Sequence, residues 1–208
     1  MRDGGHKGMA YHHGDLPQAL VDAGLEVTRA GGPSALTIRE VTRRVGVSPN
    51  AAYRHFPDRL ALLRAVSSAI EQRMADAMPV HPDQGPVERL RAVGLGYIAF
   101  ALAEPGWFSV CFFGDEVPDP ESLSAIPPYV ALSESLDLLV HAGLLRPDAR
   151  RSATWSCWAM VHGFAEMALR GPLHHLPGDQ QWPLAEAAVD AAIAGILRDW
   201  ADGSTMEP

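Results

Sequence analysis

Apolar residues recur at helical spacing along most of this chain, and nowhere do they alternate in the way a half-buried strand requires. Leu16, Leu20, Ala23 and Val27 form a first stripe, which Gly31 and Gly32 stop. Ile38, Val41 and Val45 form a second, with Arg39, Arg43 and Arg44 pointing away from it, and Gly46 breaks that helix. Ser48 and Pro49 then supply an N-cap and a first-turn proline, so a third, short helix follows. It turns Asn50, Tyr53 and Arg54 outward, leaves Ala52 and Phe56 for the core, and ends before Pro57. Asp58 caps a connecting helix over residues 58–78 with Leu60, Leu63, Val66, Ile70 and Met74 inward, and a polar loop from Pro79 through Pro86 closes it.

The second half is apolar on more sides. The pattern predicts a helix over residues 87–103, a short aromatic segment over 106–113, and a loop rich in Pro and Asp/Glu over 114–128. A helix over 129–142 stops at Gly143. Residues 149–170 carry Trp155, Trp158, Val161, Ala165 and Ala168 with little polar surface, so that helix must be covered on several sides. The last helix, 184–200, has Val189, Ile193, Ile196 and Trp200 on one stripe and many alanines that permit close approach. The expectation is an all-α protein of about nine helices without internal repeats.

Local chemistry sharpens the stretch 37–56, TIREVTRRVGVSPNAAYRHF. Thr37 and Glu40 have the spacing of a capping box, in which hydroxyl and carboxylate each satisfy a backbone donor at the helix start. Two helices joined by a glycine turn, the second able to enter a DNA groove, then follow. The guanidinium fork of Arg39 suits guanine O6 and N7, and Asn50 suits adenine. The net charge of −8 looks unfavourable for such a partner until it is divided. Residues 1–60 hold 8 Lys/Arg and 6 Asp/Glu, whereas residues 61–208 hold 9 and 19. The local field, five basic against two acidic residues between Thr37 and Arg59, is what meets phosphates.

With 208 residues and 47% hydrophobic content the chain can bury a sizeable core. It shows no apolar leader and no clean membrane span, which predicts a cytoplasmic protein without membrane contact. Cys111 and Cys157 are too few for a disulfide framework and suit small core positions. His12, His13 and Asp15, or His174 and His175, lack further ligands at a metal-site spacing, and no phosphate loop or nucleophile elbow occurs. No metal, cofactor or catalytic residue is expected, and the chain is read as a non-enzyme.

The head resembles the DNA-binding domain of the tetracycline-repressor (TetR) family of transcriptional regulators. The likeness rests on YHHGDL from Tyr11, on LTIREV, and on VGVSPNAAYRHFPDRLALL, and it runs to about Met74. It implies a three-helix helix-turn-helix head over residues 11–78, joined by the connecting helix to a helical effector-binding and dimerisation domain over 79–202. Residues 1–10 and 203–208 would be flexible ends. By this resemblance Thr37, Ser48, Tyr53, His55 and Arg59 touch the phosphate backbone, while Arg39, Pro49, Asn50, Ala51 and Arg54 lie near base edges. Arg59 stands where the family often has lysine, so the geometry of its contact changes.

WSCWAMVHGFAEMALRG, from Trp155, together with EPGWFSVCFF before it, resembles a TetR subgroup marked by a tryptophan-histidine-glycine (WHG) signature. The last two helices, about 149–171 and 184–200, would then pair in a homodimer that reads an approximately palindromic double-stranded operator with heads about 34 to 36 Å apart. Tyr97, Phe100, Trp107, Phe108, Phe112, Phe113, Trp158, His162 and Met167 would line a pocket for an unknown small hydrophobic effector, although the same residues equally suit plain core packing. His162, in so apolar a helix, needs a hydrogen-bond partner, either a ligand or a neighbouring carbonyl. The function implied is a repressor released by its effector; the alternative is a DNA-binding regulator controlled by a protein partner or by its abundance.

Overall fold

Each helix of the head begins and ends where the chain supplies a partner for its unpaired backbone groups. The computed structural model describes residues 16–112 and 120–203. Helix α1 spans Leu16–Gly31 and stops with Gly32 in the left-handed region at φ 61°. Helix α2, Ile38–Val45, starts with Thr37 Oγ1 accepting from Glu40 N at 3.1 Å and ends at Gly46, φ 78°. Helix α3, Pro49–Tyr53, is a single turn and a half capped by Ser48 Oγ, and Asp58 Oδ1 caps α4, Arg59–Asp76, at Ala61 N. Leu20, Leu36, Val41, Ala52, Leu62 and Val66 are wholly buried between these helices. Gly24 lets α1 lie on α4, because a Cβ there would fall 2.5 Å from a Val66 methyl.

The body contains α5, Pro86–Ala103; α6, Pro105–Phe112; α7, Pro120–Leu123; α8, Pro127–His141; α9, Arg150–Leu169; and α10, Gly178–Gly203. Short 3-10 turns at Pro33–Ala35, Pro147–Ala149 and Pro172–His175 join some of them. Helix α5 is central, packing on α8, α9 and α10, and α6 turns away from it by 110° to lie against α1 and α4. Phe108, Ile98, Leu136, Leu139 and Leu145 are the largest wholly buried side chains of the body. Among the described residues no strand occurs, and no single helix is long and apolar enough to cross a membrane.

Several expectations are corrected here. The aromatic segment after Pro105 is a full helix rather than a short connection, apolar all round because α1, α4 and α5 cover it. Within the expected loop 114–128 a one-turn helix forms at α7 and α8 already begins at Pro127. Helix α10 begins six residues before Leu184, with Pro183 inside it. Pro183 falls early enough for few ladder bonds to be lost, so it does not mark the start. Half of the expected capping box forms: Thr37 caps, but the Glu40 carboxylate turns to Arg43 and Arg44. Residues 1–15 and 204–208, with the expected flexible ends apart from Gly203, the YHHGDL stretch apart from Leu16, and the histidines at 12 and 13, lie outside the described residues; Leu16 opens α1 and Gly203 closes α10.

Candidate nucleic-acid interface and interior cavity

Because α3 is so short, almost every side chain it does not bury faces outward. Thr37, Arg39, Ser48, Pro49, Asn50, Tyr53, Arg54 and His55 are all exposed and Ala51 is half-buried, so the expected contact residues share the outer surface of the α2–turn–α3 unit. The Tyr53 ring, 48% exposed, does not pack between helices. Arg59 is placed differently from the rest. Its Nε donates to Leu36 O at 2.8 Å and its Nη2 to Pro33 O at 2.6 Å, which ties the start of α4 to the turn after α1.

The arginines of α2 are not equivalent. Glu40 accepts from both Arg43 and Arg44, at 2.8 to 2.9 Å, and Arg44 also pairs with Glu26 at 3.3 Å. These hydrogen bonds, from Arg43 first, hold the Glu40 carboxyl down at about 2, so it stays ionised at any working pH. Arg39 and Arg54 have no ion pair among the described residues. Two charges of the motif are thus matched internally, and the two expected nearest base edges are not, among the described residues.

In the body the expected ligand residues separate into two groups. Tyr97, Phe108, Phe112, Trp158 and His162 form one aromatic cluster with Tyr129, with ring centroids 4.9 to 6.4 Å apart. The Tyr97 hydroxyl and His162 Nδ1 share a hydrogen bond at 2.8 Å, so a phenol is one partner of His162. Burial lowers the His162 pKa and raises that of Tyr97, which favours the neutral form of both. Phe100 and Trp107 stand apart as a stacked pair against the head. Met167 is 44% exposed on the outside of α9, and Phe113 lies outside the described residues.

A cavity of about 20 Å³, room for little more than one water, lies among α5, α8, α9 and α10. Its walls are Leu90, Val93, Gly94, Tyr97, Pro128, Leu132, Cys157, Trp158, Met160, Val161, Val189, Ala192 and Ile193, and none carries a charge. Only Tyr97 and Trp158 were expected there. The remaining walls are mainly aliphatic and in sequence look like any other core position. Both cysteines are buried, and desolvation pushes the Cys157 thiol up to about 11 and the Cys111 thiol higher, which leaves them unreactive. On the outer surface Trp155 and Met167 of α9 and Leu184 of α10 are exposed apolar side chains.

Residues 20–66 match the bacterial regulatory proteins of the tetR family, and residues 90–192 match the tetracyclin repressor-like C-terminal domain. The nucleoid occlusion factor SlmA of Vibrio vulnificus is 32% identical over 79 residues, which are 37% of this chain. The match spans only 40% of that relative's length. A protein with unknown function from Rhodococcus sp. RHA1 superimposes with a TM-score of 0.64 at 26% identity, covering 92% of this chain and 98% of its own. A TetR transcriptional regulator from Streptomyces coelicolor gives 0.70 at 18% identity, with 87% and 97% covered, a likeness of fold alone.

Proposed function

The chain belongs to the TetR family of bacterial regulatory proteins, which are DNA-binding transcriptional regulators, and from that premise we propose that it is a cytoplasmic repressor. In this reading it binds a palindromic operator as a homodimer and is released by a small hydrophobic effector. The observation that carries the DNA side is the exposed set Ser48, Pro49, Asn50, Tyr53 and His55 together with Arg39 and Arg54, the two arginines of the motif without an ion pair among the described residues. Thr37, Ser48, Tyr53 and His55 hold phosphates and set register, while Arg39, Pro49, Asn50, Ala51 and Arg54 face base edges. Arg59 acts from beneath, fixing the turn on which α2 begins. Exposed Trp155, Met167 and Leu184 on α9 and α10 support a dimer through these helices.

An uncharged wall suits a neutral apolar effector, since a charged one would lose its hydration without a partner. The cavity in its present form is too small for one, so an effector must select a state in which α9 and α10 stand further from α5 and α8. That tightness favours the second reading, a regulator without a small effector, controlled by a partner or by abundance. Fluorescence anisotropy on duplexes from DNA flanking its own gene, across salt concentrations and with a panel of neutral hydrophobic metabolites, separates them. Saturable binding reversed by one compound supports the first reading. Binding that no compound reverses supports the second, and binding that is only nonspecific and steeply salt-dependent rejects both.

A further inference from the structure

We infer that Trp107 is a positioning residue for the reading head: it fixes α1 against the corner between α5 and α6, so that the head is held at two points rather than swinging on α4 alone. A head attached through one helix keeps a rotation about that helix, and a second attachment off its axis removes it. The second attachment is built from five side chains and a glycine. The Trp107 indole, 8% exposed, donates from Nε1 to Leu25 O of α1 at 2.8 Å. The guanidinium carbons of Arg29 from α1 and Arg73 from α4 lie 5.1 and 5.2 Å from its ring centroid, within cation–π range. Phe100 of α5 stacks on it at 6.4 Å. Arg29 also grips Glu104 with both Nε, at 2.7 Å, and Nη2, so the two cations on one ring are not left to repel each other unopposed.

Gly106 makes this approach possible. A Cβ there would lie 2.6 Å from Thr28 O and nearer still to Arg29 O, so the backbones of α6 and α1 touch at the one residue type that has no side chain. One ring thereby joins the head, the connecting helix and the body. The ring also sits one residue before Phe108 of the aromatic cluster, so a shift of α6 reaches α1 without passing through α4.

The test measures the joint directly. Spin labels at Asp22→Cys on α1 and Ala99→Cys on α5 report the distance from head to body, because both sites are exposed and the two native cysteines are buried. Dilution with unlabelled protein keeps the signal within one protomer. Domains without a firm contact move relative to one another, so Trp107→Leu is expected to widen the distance distribution roughly twofold at temperatures well below melting, with Trp107→Phe in between. Should Trp107→Leu fail to fold, Arg29→Met and Glu104→Gln carry the same expectation. An unchanged width in every folded variant overturns the proposal. A second readout rests on the DNA-binding role: on an operator selected from random duplexes, the wild-type protein loses binding when a single base pair is inserted between half-sites, and the folded variant keeps it. If no duplex is selected, the DNA role fails, while the distance measurement still decides the joint.

Discussion

Head and body treat their arginines in opposite ways. In the body Arg91 binds Asp190, Arg150 binds Asp137 and Arg89 reaches Glu134, each pair joining two helices across the fold. In α2 the pairs run along one helix, from Glu40 to Arg43 and Arg44, and hold no second element except through Glu26. Exposed ion pairs contribute little to stability, so neither set explains why the chain folds. Their placement differs all the same: these pairs of the body run between helices, while those of α2 leave Arg39 and Arg54 without an ion pair among the described residues.

The largest effect that tests this contrast belongs to the body. Phe108→Ala removes a wholly buried ring from the centre of the aromatic cluster and is expected to cost about 3 to 5 kcal/mol in denaturant unfolding, while half-site recognition by the surviving folded protein stays the same. In the head the order reverses. Arg39→Ala is expected to leave melting within error and to cost about 1 to 3 kcal/mol of operator binding with loss of preference at one base pair. Arg43→Ala, its neighbour held by Glu40, should change affinity alike for all sequences; equal losses of preference from the two variants would refute the division between them. Thr37→Ala links both properties, since its hydroxyl accepts from Glu40 N, and about 1 kcal/mol of stability should go with it in thermal unfolding.

The smallest effect concerns His162. Burial lowers its pKa from the ordinary 6.5, against an opposing pull from Glu166, and its Nδ1 shares a hydrogen bond with the Tyr97 hydroxyl. The unfolded chain therefore takes up a proton at this position before the folded one does. This contribution to stability is complete above about pH 6.5 and is lost as the pH falls through that value towards the lower folded pKa. Unfolding free energies of wild type and His162→Gln are expected to converge as the pH is lowered from about 8 to about 5, and a constant difference would reject the assignment.

How far the sequence could be read follows the same division. The head announces itself because its boundaries are made by single residues with local effects: Thr37, Gly46, Ser48 with Pro49, and Asp58 act within one turn, and α2, α3 and α4 begin where they indicate. Its outward face was legible too, since whatever a five-residue helix does not bury must point out. In the body the deciding causes are distant. PGWFSVCF has little periodicity because neighbours far along the chain bury Trp107, Phe108, Val110 and Cys111 on more than one side, and Pro183 looks like a helix start although the preceding turn is helical. The cavity walls Leu90, Val93, Val161, Val189 and Ile193 could not be told from core, whereas the aromatic residues drew the prediction to Trp107, which faces the head. The role of Arg59 as a tie to Leu36 O and Pro33 O likewise depends on a turn more than twenty residues away.

Glu40 gives the head a built-in counter-ion. Duplex DNA gains much of its hold on proteins by shedding condensed cations as basic side chains arrive, whatever the sequence. On the proposed DNA-binding role, Arg43 and Arg44, each already held by Glu40, would shed fewer cations at a random site than two unpaired arginines. In the proposed role, sequence preference would then fall to Arg39, Asn50 and Arg54, whose side chains carry no ion pair among the described residues.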